Sequence, residues 1–164
     1  MSINLKSNKN DNTIPNAENM KFGIVVAEWN SKITDALLDA AINTLKKCNV
    51  KEENIIVRYV PGCIELTAAS KFMAELTDVD SVICIGCVIQ GETKHFDYVC
   101  LSVVEGITEL NIKYNIPFIF CVLTTANYQQ AIERAGGNMG NKGTESALTA
   151  VKMVELKRSF TNQT

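Results

Sequence analysis

The chain is poor in the residues that usually announce a mechanism: one histidine, one tryptophan and three prolines among 164 residues. Its six cysteines, Cys48, Cys63, Cys84, Cys87, Cys100 and Cys121, lie mostly inside apolar runs, so they read as small buried hydrophobes of a reducing compartment. Cys84 and Cys87 make the one CxxC, but at the end of a strand candidate, whereas redox pairs open a helix whose dipole lowers a thiol pKa. A second CxxC or a histidine pair is missing, so half of a zinc site is missing too, and no metal is expected. No run approaches the ~18 apolar residues needed to cross a bilayer, and the first twenty residues hold no apolar stretch of signal-peptide length. Sixteen basic and eighteen acidic residues leave a formal charge of −2, with no basic block beyond Lys157 and Arg158. These absences argue for a cytoplasmic protein with neither nucleic acid nor membrane as partner.

What is present has the pattern of an α/β domain. A chain of this length buries roughly 70% of the surface that its unfolded form exposes, enough for one full core. The composition sets apart a flexible N-terminal arm over 1–20, one domain over 21–158 and a tail over 159–164. Four short runs rich in β-branched and aromatic residues read as strands: FGIVVAE at 22–28, IIVRYV at 55–60, VICIG at 82–86 and PFIFCVL at 117–123. Between the first two, Ile33, Ala36, Leu37, Ala40, Ala41, Thr44, Leu45 and Cys48 recur at helical spacing, with Asn30 or Ser31 as N-cap. Further helices are expected over 64–76, over 96–114 before Pro117 stops the turn, over 128–135 and over 143–157. Alternation of this kind predicts a parallel four-stranded sheet with helices on both faces. Ligands then gather beyond the carboxyl ends of the strands, where the chain places EWNS, PGCIE, CVIQGETKH and TTAN.

Those four loops hold the residues able to do chemistry. His95, in VIQGETKHFDYV, follows an apolar strand and a glycine; an unperturbed imidazole titrates near 6.5 and can both take and give a proton. Trp29 falls at a strand-to-helix junction, where an indole can stack on a heteroaromatic ring or simply anchor the helix entry. Glu65 starts the second helix, where it complements the dipole or accepts hydrogen bonds from a polyhydroxylated ligand. Gly91, Glu92 and Thr93 offer backbone amides and a hydroxyl to an anion. AGGNMGNKG at 135–143 is not a Walker loop, since Asn141 precedes the lysine and a helix precedes the segment. Its glycines read as a sharp joint between two helices, flanked by the cations Arg134 and Lys142.

Taken in order, VPGCIEL, IGCVIQGETKHFDYV, IPFIFCVLTT, QAIERAG and GNKG resemble the lumazine synthase family from about residue 22 to 157. The resemblance implies a flavodoxin-like, three-layer α/β/α sandwich. It also implies condensation of 5-amino-6-(D-ribitylamino)uracil with 3,4-dihydroxy-2-butanone 4-phosphate, with no metal and no organic cofactor. By position, Trp29 is similar to the aromatic that stacks on the pyrimidine, with Asn30 and Glu65 near the ribityl chain and Cys63, Ile64, Cys87, Val88 and Ile89 around them. Glu92 and Thr93 match the phosphate-proximal turn, and His95 matches the proton-transfer residue. Phe120, Arg134 and Lys142 match positions that the family takes from an adjacent subunit. The resemblance thus implies a homo-oligomer with interfacial active sites, built from pentamers that stay separate, pair, or close into an icosahedral capsid, with riboflavin synthase as a candidate partner. Three positions depart from the commoner pattern: Trp29 for phenylalanine, Ile64 for an aromatic and Gln90 for arginine. A non-catalytic flavin- or lumazine-binding module, or a shell protein of the same fold, is the competing expectation.

Overall fold

The structure, a computed structural model, describes residues 15–161. Strands β1 (Phe22–Ala27), β2 (Ile55–Val60), β3 (Ser81–Ile89) and β4 (Phe118–Thr125) form one parallel sheet in the order β2-β1-β3-β4. Helices α1 (Ser31–Lys47), α2 (Glu65–Leu76) and α3 (His95–Lys113) are the crossovers, followed by α4 (Tyr128–Arg134) and α5 (Lys142–Thr161). The three-layer, flavodoxin-like sandwich expected from the sequence is the observed fold.

The layering follows from the direction of travel. From β1 the chain steps outward to β2, then back past β1 to β3 and on to β4, so right-handed crossovers put α1 on one face and α2 and α3 on the other. Both faces of β1 are therefore covered, and all six of its residues are buried, as befits an inner parallel strand. Alternate residues serve the two cores. Ile24, Val26, Ile83, Ile85, Ile119 and Cys121 pack with Leu37, Leu45 and Val151 of α1 and α5. Val25, Val82, Cys84 and Val122 pack with Leu66, Met73, Val103 and Ile107 of α2 and α3. Each helix pair meets at a glycine: a Cβ on Gly143 would stand 2.0 Å from the Leu37 carbonyl oxygen, and one on Gly106 would stand 2.2 Å from Thr67 Oγ1.

Several boundaries moved, each for a local reason. β3 runs on to Ile89 because β4 keeps pairing with it through Thr125, so Cys84 and Cys87 lie within a strand, both buried. The glycine joint is more than a bend: Ala135–Gly137 and Gly140–Asn141 pair as a small hairpin, β5 and β6, with Gly136 and Gly140 at positive φ. Asn30 is the residue before α1 but not a side-chain cap; it sits in the left-handed region at φ 61°, and its amide is spent elsewhere. Of the expected arm, residues 1–14 lie outside the described residues; Ala17 and Met20 are buried, and the Ala17 N–H donates to the Cys48 carbonyl. α5 continues through residues 159–161 of the expected tail. Among the described residues, no helix is long and apolar enough to cross a membrane.

Burial has a chemical consequence for the thiols. It pushes Cys63 and Cys121 up to about 11 and Cys84 and Cys87 up to about 12. An unfolded thiol ionises near pH 8.5, so these neutral groups contribute their full stability below that pH, and the contribution fades as pH rises toward the folded values. Thermal denaturation at increasing pH should show Tm falling from about pH 8.5 upward, with thiolate absorbance appearing only as the chain unfolds. A Tm that holds level to about pH 11 would contradict the role given to these thiols.

Candidate active site

The path of the chain reverses between β1 and β3, because α1 leaves β1 toward one edge of the sheet and α3 leaves β3 toward the other. A reversal of this kind opens a crevice at the carboxyl ends of the two strands. Trp29, Asn30, Gly62, Cys63, Ile64, Glu65, Cys87, Val88, Ile89, His95 and Val99 line that crevice, of about 270 Å³. It gathers every expected residue of the pyrimidine and ribityl set except Phe120, together with His95.

Local contacts explain why these side chains converge. β1 ends at Ala27 while β3 continues, so the Cys87 carbonyl has no partner strand on that side; Asn30 Nδ2 donates to it at 2.9 Å. The amide thus stands in for a ladder bond and ties the Trp29 loop to β3. On its other flank the same loop is held by β2, through Glu28 N–H to the Val60 carbonyl at 2.8 Å and Trp29 N–H to the Pro61 carbonyl at 3.3 Å. Trp29 is consequently fixed by its backbone, while its indole stays 72% exposed. An anchor would be buried; an indole held this way is available for stacking. Glu65 Oε2 lies over Gly62, where a Cβ would come within 3.2 Å of it and 3.8 Å of the indole. Gly86 lets the PGC turn rest on β3, since a Cβ there would meet Cys63 Sγ at 2.6 Å.

His95 is the first residue of α3, exposed, and its N–H donates to Thr93 Oγ1 at 3.4 Å. Glu92 and Thr93 belong to the exposed turn just before α3 and line neither this crevice nor the cleft described next. Gln90, also exposed, joins the two strand ends through its N–H to the Thr125 carbonyl at 2.8 Å. Because burial raises the Cys63 and Cys87 thiols to about 11 and about 12, they are neutral walls and not nucleophiles near neutral pH. Among the described residues, no group of three or more His, Cys, Asp or Glu is placed to hold a metal ion.

Phe120, Arg134 and Lys142 sit elsewhere. β4 is an edge strand, and a cleft of about 570 Å³ runs along its open backbone from Phe118 to Thr124. Arg134, Lys142, Glu145, Ser146 and Thr149 form its other wall. Phe120 is 40% exposed there. Arg134 Nη1 donates to the Gln130 carbonyl at 2.9 Å, and Lys142 Nζ lies 2.7 Å from both Glu145 carboxylate oxygens. No residue lines both cavities. Sequence reasoning passed over Gly62, Val99 and Glu145. Val99 was findable, one helical turn beyond His95 on the same face; Glu145 was findable three residues beyond Lys142 on α5.

A reversed parallel sheet whose crevice presents an indole, a carboxylate and an imidazole defines an enzyme of flavodoxin-like fold acting on a small molecule. Residues 19–158 match the family described as 6,7-dimethyl-8-ribityllumazine synthase, and the chain belongs to that family. It is 58% identical over 145 residues to the 6,7-dimethyl-8-ribityllumazine synthase of Parabacteroides distasonis, covering 88% of this chain and 91% of that protein. The protein of the same name from Bacteroides fragilis is 56% identical over 137 residues, covering 84% and 96%. That of Flavobacterium johnsoniae is 54% identical over 147 residues, covering 90% and 77%.

The Asn30 clamp makes a local prediction. Alanine at this position loses the bond to Cys87 and also bears the left-handed backbone, about 1 kcal/mol each, whereas glycine loses the bond but relaxes the backbone. Chemical denaturation should therefore find Asn30→Ala about 2 kcal/mol less stable than the parent and Asn30→Gly less affected. Equal losses would mean that the positive φ carries no strain.

Proposed function

We propose that this chain condenses 5-amino-6-(D-ribitylamino)uracil with 3,4-dihydroxy-2-butanone 4-phosphate to give 6,7-dimethyl-8-ribityllumazine, the penultimate step of riboflavin biosynthesis. The 5-amino group attacks the ketone carbon, and loss of water gives an imine. A proton leaves the adjacent carbon as the carbon–oxygen bond to phosphate breaks; the resulting enol takes a proton at its terminal carbon and becomes a ketone, which the ribitylamino nitrogen attacks to close the ring with loss of a second water. The reactants are mutually reactive, so alignment supplies most of the acceleration; well-oriented pairs gain up to roughly 7–11 kcal/mol. Trp29 stacks on the pyrimidine, Asn30 and Glu65 lie by the ribityl chain, and Cys63, Ile64, Cys87, Val88 and Ile89 wall the ring. His95 moves protons, and the phosphate is received by Arg134 and Lys142 together with the backbone amides of Glu92 and Thr93 and the Thr93 hydroxyl.

The observation that carries this reading is the partition of the residues into two cavities. A crevice of about 270 Å³ is smaller than the roughly 300–1,000 Å³ of a complete small-molecule site. It holds the stacking and proton-transfer groups, while the phosphate-binding cations lie along the open edge of β4. A cyclic assembly that sets the β4 edge of one copy against the crevice of the next completes both at once. Exposed apolar residues on α3, namely Tyr98, Leu101, Val104 and Ile112, suit such burial. The assembly proposed is a pentamer, and the GNMGNKG joint, short and without a bulky insertion, favours closure into an icosahedral capsid. Six free cysteines fit a cytoplasmic location, and riboflavin synthase, which consumes the product, is the candidate partner.

Mixing both substrates with the protein and following lumazine absorbance tests the reaction; a non-catalytic binding or shell protein would bind product without forming it. Arg134→Ala should raise KM for the butanone phosphate and leave that for the pyrimidine nearly unchanged, since a guanidinium binds phosphate through paired hydrogen bonds. His95→Ala should lower turnover by about 10²-fold or less, because solvent replaces part of its proton transfer. The shared site has its own test. When the two variants are unfolded together and reassembled, about a quarter of the interfaces regain both groups, and activity should return accordingly. Recovery no greater than the sum of the separate variants would place the whole site in one chain.

A further inference from the structure

Glu145 is the one carboxylate in the wall of the β4 cleft. Lys142 opens α5, where a cation faces the positive end of the helix dipole and is disfavoured. Glu145, one turn further, offsets both: each of its carboxylate oxygens lies 2.7 Å from Lys142 Nζ. The two partners are unequally held. The lysine side chain is 24% exposed and the glutamate 57%, so the fold retains the cation in the cleft while the carboxylate can turn to water. Glu145 thus takes, on Lys142, the position that an external anion would take.

We propose that Glu145 is an internal counter-anion that competes with phosphate for Lys142 and so limits how tightly the cleft holds inorganic phosphate once it has been released. This rests on the assignment of Arg134 and Lys142 to the phosphate of the butanone substrate. With Glu145 ionised, the two cations and one carboxylate leave the cleft at +1; without it the cleft is at +2. A phosphate dianion about 6 Å from a carboxylate, at the dielectric of water, is repelled by the equivalent of roughly tenfold in affinity, and salt screens part of that. The same repulsion applies to the substrate phosphate, so the residue trades substrate affinity for product release.

The test uses the full-length assembled protein with inorganic phosphate as the probe. Its affinity is read as competitive inhibition against the butanone phosphate and, independently of turnover, by phosphorus NMR titration. Glu145→Gln should tighten phosphate by about three- to tenfold at low ionic strength, with the difference shrinking as salt is added. Glu145→Asp, which keeps a charge on the same turn, should stay within about twofold of the parent. The KM for the pyrimidine should move less than either phosphate constant. Unchanged or weaker phosphate binding in the glutamine variant overturns the proposal, as do equal shifts in the glutamine and aspartate variants, which would mark a packing effect. Glu145→Ser replaces the glutamine variant if that one does not assemble. A parent protein that binds phosphate but forms no lumazine would count against the reaction assignment and leave the charge competition measurable by NMR.

Discussion

Parallel pairing between β1 and β3 is the constraint on which the rest of the molecule depends. β1 is covered on both faces and pairs on both sides, so its end, and the loop that follows, have little freedom. β3 extends beyond it, which leaves the Cys87 carbonyl unmatched until Asn30 supplies the missing donor. From that bond follows the placement of Trp29, which is held by its backbone while its indole faces outward. The opposite wall hangs on the same strand, because Gly86 admits Cys63 against β3 and thereby sets the start of α2 with Glu65. His95 arrives from the far end of β3, at the head of the crossover that leaves in the other direction.

The two cavities differ in physical character. The crevice between β1 and β3 is walled by apolar side chains and neutral thiols, with an indole, an imidazole and one carboxylate at its rim. That is an environment for a flat heteroaromatic ring with a polar tail. The β4 cleft combines strand backbone with a guanidinium and an ammonium, an environment for an anion. Keeping the two apart in each chain would, in the proposed cyclic assembly, make assembly a condition of catalysis. It also keeps the cations out of an apolar pocket, where an unpaired charge would cost several kcal/mol in desolvation.

Much of this was legible in the residues. Four β-branched runs separated by segments of helical period were sufficient for strand number, parallel sense and layering, because few topologies accommodate that alternation. The ordered motifs around VPGCIEL and GETKHFDYV identified the family and most of the crevice. What escaped was contact across the fold. Asn30 reads as a helix cap because local hydrogen bonding is what a sequence displays, and its true acceptor is 57 positions away. The hairpin within 135–141 needs backbone at positive φ, which glycine permits without requiring, so the string of glycines allowed a bend equally well.

The amino-acid order alone determined the class of fold, the rim on which a ligand gathers and the kinds of chemical group available there, since periodicity, strand propensity and side-chain chemistry are local properties. Tertiary structure decided which of those groups share a cavity. Phe120, Arg134 and Lys142 are separated from the indole and imidazole because β4 is an edge strand, and edge position is a property of the whole sheet that no stretch of sequence contains.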